Sequence, residues 1–110
     1  MTTTGKHNQE AEKIKAALCR ASGITIRELM SRRRTAPIAE PRQLGYFLVR
    51  TITQMKWVSC ARVFRRTQGS AIEGARAALD RIRLYPRDRA LYDSTVAILQ
   101  NNRRKTKRVK

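Results

Sequence analysis

The side chains able to do chemistry in this chain are mostly cationic and come in runs. Arg32, Arg33 and Arg34 are consecutive, Arg42 and Gln43 are adjacent, and Arg65, Arg66, Thr67 and Gln68 follow one another, with Ser70 and Arg76 close behind. A guanidinium is planar, permanently charged and rich in N–H donors, so it pairs with phosphate or with the acceptor edge of a guanine. In a narrow nucleic-acid groove it also meets concentrated negative potential. Gln68 adds an amide that can bond an adenine edge. The chemistry on offer is recognition of a polyanion.

Composition points the same way. The 110 residues hold 25 Lys plus Arg against 8 Asp plus Glu, a formal charge of +17, and a polyanionic partner offsets the self-repulsion this creates. DNA, RNA and an acidic membrane surface all meet that demand by charge. The membrane is the weakest of them, because the longest apolar run, Leu44 to Val49, is broken by Gly45 and is far too short to span a bilayer. The segment Met1 to Glu10 is polar and lacks a signal-peptide pattern, so the expectation is a soluble, cytoplasmic protein.

Catalytic and metal chemistry find no support. His7 is the only histidine, and Cys19 and Cys60 fall inside helix-like patterns rather than in a spaced framework, which reads as packed, reduced thiols. Gly69 and Gly74 enclose four residues as in a phosphate-binding loop, but Ala75 and Arg76 stand where Lys and Ser or Thr are required. No cofactor is expected, and the chain does not read as an enzyme.

Six helices must position the basic runs. Ile14, Ala17, Leu18 and Ala21 repeat at helical spacing before Gly23, which predicts a helix over 9–22. Thr25 and Glu28 make a capping box for a short helix over 26–31. Arg32 to Arg34, Pro37 and Pro41 read as a basic loop leading into a third helix, where Leu44, Phe47, Leu48, Thr51, Ile52 and Met55 form the longest apolar stripe and mark the centre of the core. Trp57, Cys60, Val63 and Phe64 outline a fourth helix, followed by a turn at Arg65 to Gly69. Ser70 and Glu73 read as a second capping box opening a fifth helix over 70–84, with acceptance of a cytosine amino group as the second reading of a Glu73 carboxylate that cuts against simple phosphate binding, and after Pro86 a sixth runs over 87–100. The domain reading is a flexible 1–8, a helical 9–100 and a disordered basic tail over 101–110, where Val109 is the only apolar residue after Arg103.

The stretch Glu28-Leu29-Met30-Ser31-Arg32-Arg33-Arg34, continuing to Pro41-Arg42-Gln43-Leu44 and then to Val63-Phe64 with a turn and a following helix, resembles the C-terminal DNA-binding domain of the DnaA chromosomal replication initiator. The resemblance covers residues 14–99. It implies an all-α domain with a helix-turn-helix, akin to the Trp-repressor-like fold, that binds double-stranded DNA. It also implies that Arg34 enters the minor groove with Arg32 and Arg33 beside it, that Arg42 and Gln43 contact DNA nearby, and that Arg65, Arg66, Thr67, Gln68, Ser70, Ala71 and Arg76 lie at or near the major groove.

One part of the family pattern is missing. Where the family carries Gly-Gly-Arg-Asp-His followed by Ser or Thr and another Thr, this chain reads Arg65-Arg66-Thr67-Gln68-Gly69-Ser70-Ala71. Gly69 has no side chain with which to touch a base, so the expectation is altered or relaxed sequence selectivity with DNA affinity kept. The reading is a site-selective or weakly selective duplex binder in replication or transcription control. Two alternatives stay open: a protein that regulates the replication initiator by binding it, and an RNA- or ribosome-associated basic protein.

Overall fold

The computed structural model describes the backbone of residues 2–108 and the side chains of residues 7–101. It contains six helices and, among the described residues, no strand: α1 (Thr2–Ser22), α2 (Ile26–Met30), α3 (Ala36–Thr53), α4 (Trp57–Val63), α5 (Gln68–Leu84) and α6 (Pro86–Arg108). The all-helical, six-helix expectation matches this architecture.

Local signals account for the first two helices. On α1, Ala11, Ile14, Ala17 and Leu18 form the buried face, and the helix stops at Gly23, whose φ of 81° is costly for residues with a Cβ. The Gly23 N–H donates to Cys19 O at 2.8 Å. The capping box of α2 is present in full: Thr25 Oγ1 accepts the Glu28 N–H at 3.0 Å and Glu28 Oε1 accepts the Thr25 N–H at 2.9 Å.

The third helix begins earlier than the prolines suggest. Pro37 lies in its first turn, where an N–H has no helical partner in any case, and the helix continues through Pro41. It packs against α1, α2, α4 and α5, so it is apolar around much of its circumference. Tyr46 and Val49 are buried beside Leu44 and Leu48, while Ile52, assigned by spacing to the core stripe, is partly exposed. Periodicity finds one stripe; a helix surrounded by four neighbours has more than one.

At the other end, Pro86 opens α6 rather than merely ending α5, leaving Tyr85 alone between the two helices. The corner is tied by Arg81 and Asp88, 3.3 Å apart. The backbone of α6 stays helical to Arg108 and that of α1 begins at Thr2, so both reach into stretches expected to lack structure. Arg and Lys are good helix formers, and no Gly or Pro follows Pro86 to stop the last helix. Val109 and Lys110 lie outside the described residues.

Two glycines let helices approach closely. A Cβ on Gly45 would stand 2.6 Å from the Phe64 ring, and one on Gly74 would stand 2.6 Å from the Tyr46 ring. The Tyr46 ring meets Phe64 edge-on, with centroids 5.0 Å apart, so it has little room to retreat. Gly74→Ala is therefore expected to destabilise the domain by about 1–2 kcal/mol, since overpacking outweighs the helix-propensity gain of up to about 1 kcal/mol. A lowered urea midpoint with unchanged slope checks this.

Candidate nucleic-acid interface

The turn between α4 and α5 is built from four residues, Phe64 to Thr67. The Arg66 N–H donates to Ala61 O at 2.9 Å and the Arg65 N–H to Arg62 O at 3.0 Å, the paired bonds of a Schellman motif. Arg65 occupies the left-handed position of that motif, with φ 55°. Glycine normally takes this place, because a side chain there costs on the order of 1 kcal/mol. The strain leaves an arginine exposed at the apex of the turn.

Helix α5 then starts two positions before the expected capping box. Thr67 is the N-cap, its Oγ1 accepting the Ser70 N–H at 3.2 Å and donating to Ser70 Oγ at 2.9 Å. Ser70 and Glu73 match the box spacing but do not cap. The Schellman turn ends α4 so tightly that the chain is already extended at Thr67, and the helix begins there. Glu73 is thereby left with no capping role.

The basic loop between α2 and α3 is held from behind. Arg42 is only 5% exposed; its Nε donates to Leu29 O at 2.7 Å, Nη1 to Arg33 O at 3.0 Å and Nη2 to Glu28 O at 3.4 Å. Arg66 Nη2 donates to Ser31 O. Burial, then the neighbouring Arg66 charge, holds the Arg42 guanidinium below the ordinary arginine range. Burial also pushes the Tyr46 phenol up. Arg42, expected from the sequence to contact DNA, thus lines the cleft with its fork bonded to two α2 carbonyls and one carbonyl of the basic loop.

Between that loop and α5 lies an open cleft of about 990 Å³. Arg32 and Arg34 line it from the loop, Arg42, Gln43 and Tyr46 from α3, and Arg65, Arg66 and Thr67 from the turn. Helix α5 contributes Ser70, Glu73, Gly74 and Ala77. Five arginines and a single carboxylate therefore line one groove, with Arg42 and Arg66 also bonded to backbone carbonyls and Arg32, Arg34 and Arg65 exposed. The Gln43 Oε1 is buried there without a hydrogen-bond partner.

The fold gathers most, but not all, of the residues selected from sequence. Arg32, Arg34, Arg42, Gln43, Arg65, Arg66, Thr67 and Ser70 share the cleft. Arg33, Gln68 and Arg76 are exposed outside its lining. Ala71 is a correction: it is fully buried in the core, because it lies on the same face of α5 as the buried Ala75 and Ala78, and its side chain cannot touch a ligand. Sequence reasoning also passed over Lys15. It is buried on α1, its Nζ donating to Val63 O at 3.1 Å and lying 2.9 Å from Glu12 Oε2. A cation at the last carbonyls of α4 suits the helix dipole, and it fixes the end of α4 just before the turn.

A short helix, a four-residue turn and a longer helix with a basic approach face define a helix-turn-helix of the DNA-binding class. The chain belongs to the bacterial DnaA protein helix-turn-helix family, whose model matches residues 11–77. That span contains α2 to α4, the basic loop, the turn and the first half of α5. No individual curated protein matches the chain. Among the described residues, no helix is long and apolar enough to cross a membrane.

Proposed function

We propose that this protein binds duplex DNA by seating one phosphodiester strand in the cleft, with the basic loop in the minor groove on one side of that strand and α5 in the major groove on the other. The observation that carries this reading is the cleft itself, which joins Arg32 and Arg34 on the loop to Arg65 and Arg66 at the turn. In B-form DNA a single backbone ridge separates the two grooves, so two reading elements flanking one arginine-lined channel fit that ridge. Phosphate contacts then set the register, and base edges supply whatever selectivity there is.

In this arrangement Arg34, exposed and unburdened by backbone bonding, is the minor-groove side chain. Arg65, also exposed, is a phosphate contact. The process served is replication initiation or transcription control. Fluorescence anisotropy across a salt series tests the reading, comparing a duplex that carries the DnaA family's box, a scrambled duplex and a hairpin RNA. Tighter binding of either duplex than of the RNA supports it, and retention of a tenfold preference for the box, about 1.4 kcal/mol, adds the family's own element. Equal binding of all three, lost together as salt rises, would leave only generic charge attraction.

Arg34→Ala is expected to weaken duplex binding by about 1–3 kcal/mol without lowering the unfolding midpoint, because its side chain is exposed and supports nothing in the fold. Unchanged affinity would remove the loop from the interface.

A further inference from the structure

We infer that Glu73 is a specificity-determining residue, accepting a hydrogen bond from the exocyclic amine of a cytosine in the major groove and repelling the protein from duplexes that lack one there. The inference rests on the duplex-binding reading above and adds to it the base that α5 selects.

Three observations carry it. Thr67, not the Ser70 to Glu73 pair, caps α5, so the carboxylate is not engaged in closing the helix. Ser70, Glu73 and Ala77 succeed one another at helical spacing along the wall of the cleft, which places Glu73 on the face that enters the groove. Finally, the side-chain ion pairs among the described residues join Lys15 to Glu12, Arg81 to Asp88 and Arg89 to Asp93. Glu73 takes part in none of them although five arginines line the same cleft.

Such a carboxylate works against the function of its surroundings. Beside a phosphate it is repelled, so every duplex bound in this cleft sets the arginines' attraction against Glu73's repulsion. A carboxylate has no hydrogen to give, and the major-groove edges of guanine and thymine offer it only acceptors. Cytosine offers a donor at N4, and adenine offers N6 beside an acceptor at N7 that repels the carboxylate. The cytosine amine is therefore the base group that compensates for the carboxylate's desolvation. Gly69, one turn earlier and exposed with nothing within 4 Å of where a Cβ would sit, cannot supply this discrimination; Ser70 on the same wall both donates and accepts and so rejects no base, whereas Glu73, the carboxylate of the cleft lining, can only accept.

A duplex library with a randomised core, incubated with the whole protein and sequenced from the bound fraction, tests the assignment. The wild type is expected to enrich a motif with one fixed C·G pair. Glu73→Ala should make that single column degenerate, losing at least about fivefold in preference, while binding a fixed unrelated duplex about two- to fivefold more tightly. Glu73→Gln should move the same column toward A·T, since an amide pairs with adenine N6 and N7. Thermal unfolding, unchanged in both variants because the side chain is exposed, separates this from a folding defect. A motif identical in every column for all three proteins would overturn the assignment, as would a wild type that binds duplex but enriches nothing. Failure of the wild type to bind any duplex would overturn the duplex reading itself, and the assignment with it.

Discussion

Arg42→Ala is expected to lower the free energy of unfolding by about 2–4 kcal/mol and to weaken duplex binding by about 1–3 kcal/mol, though Arg42 need touch no DNA. Its guanidinium is the shared donor for Leu29 O, Arg33 O and Glu28 O. Hydrogen bonds from a charged donor contribute about 1.5–3 kcal/mol each where both partners are well placed, and carbonyls stranded in the protein lose that compensation. The bond to Glu28 O is long at 3.4 Å and contributes least. With the fork gone, Ser31 keeps its bonds to Glu28 O and from Arg66, but Arg33 O loses its side-chain partner, and Arg34 beside it is expected to be held less firmly in a position from which to enter a groove.

Arg42→Lys should recover little, because one ammonium on a flexible stem cannot meet three carbonyls lying in different directions. Urea unfolding and anisotropy on the same preparations test both halves. A double-mutant comparison sharpens the second: if Arg42 acts through the loop, Arg34→Ala costs less affinity in the Arg42→Ala background than in the wild type. Full additivity with an unchanged unfolding midpoint would return Arg42 to a direct contact.

Phe64→Ala should be the most destabilising of these changes, by about 3–5 kcal/mol, a large part of the total stability of a small domain. Phe64 is fully buried at the start of the turn. Its ring packs against the bare Cα of Gly45, meets Tyr46 edge-on at 5.0 Å and lies 5.9 Å from Lys15 Nζ. Removing it opens a cavity where α1, α3 and the turn converge, and relaxation there would shift the start of α5. Phe64→Leu keeps most of the volume and should cost much less. Chemical denaturation reads both, and near-equal midpoints for the Ala and Leu variants would show that packing at this point is loose.

The elements were largely legible in the sequence because what defines them is local. The capping box at Thr25 and Glu28 and the stop at Gly23 each complete their hydrogen bonds within a turn of helix. The start of α5 misled because Ser70 and Glu73 share the spacing of a box with Thr67 and Ser70 immediately upstream. Spacing alone cannot choose between two overlapping candidates. The geometry of the preceding Schellman turn does, and it leaves the Glu73 carboxylate without a capping role.

By itself the sequence determined that this chain is helical, strongly cationic and equipped with three arginine-bearing segments in the order of a helix-turn-helix family, since charge and short-range periodicity belong to the chain in any conformation. Only the tertiary structure decided what each arginine does. Arg42 and Arg66 turn inward to hold carbonyls of α2 and of the loop that follows it, many residues upstream, while Arg32, Arg34 and Arg65 stay exposed at the cleft. A guanidinium meets a carbonyl or a phosphate with the same chemistry, so its role follows from which acceptor the packing of α3 brings within reach.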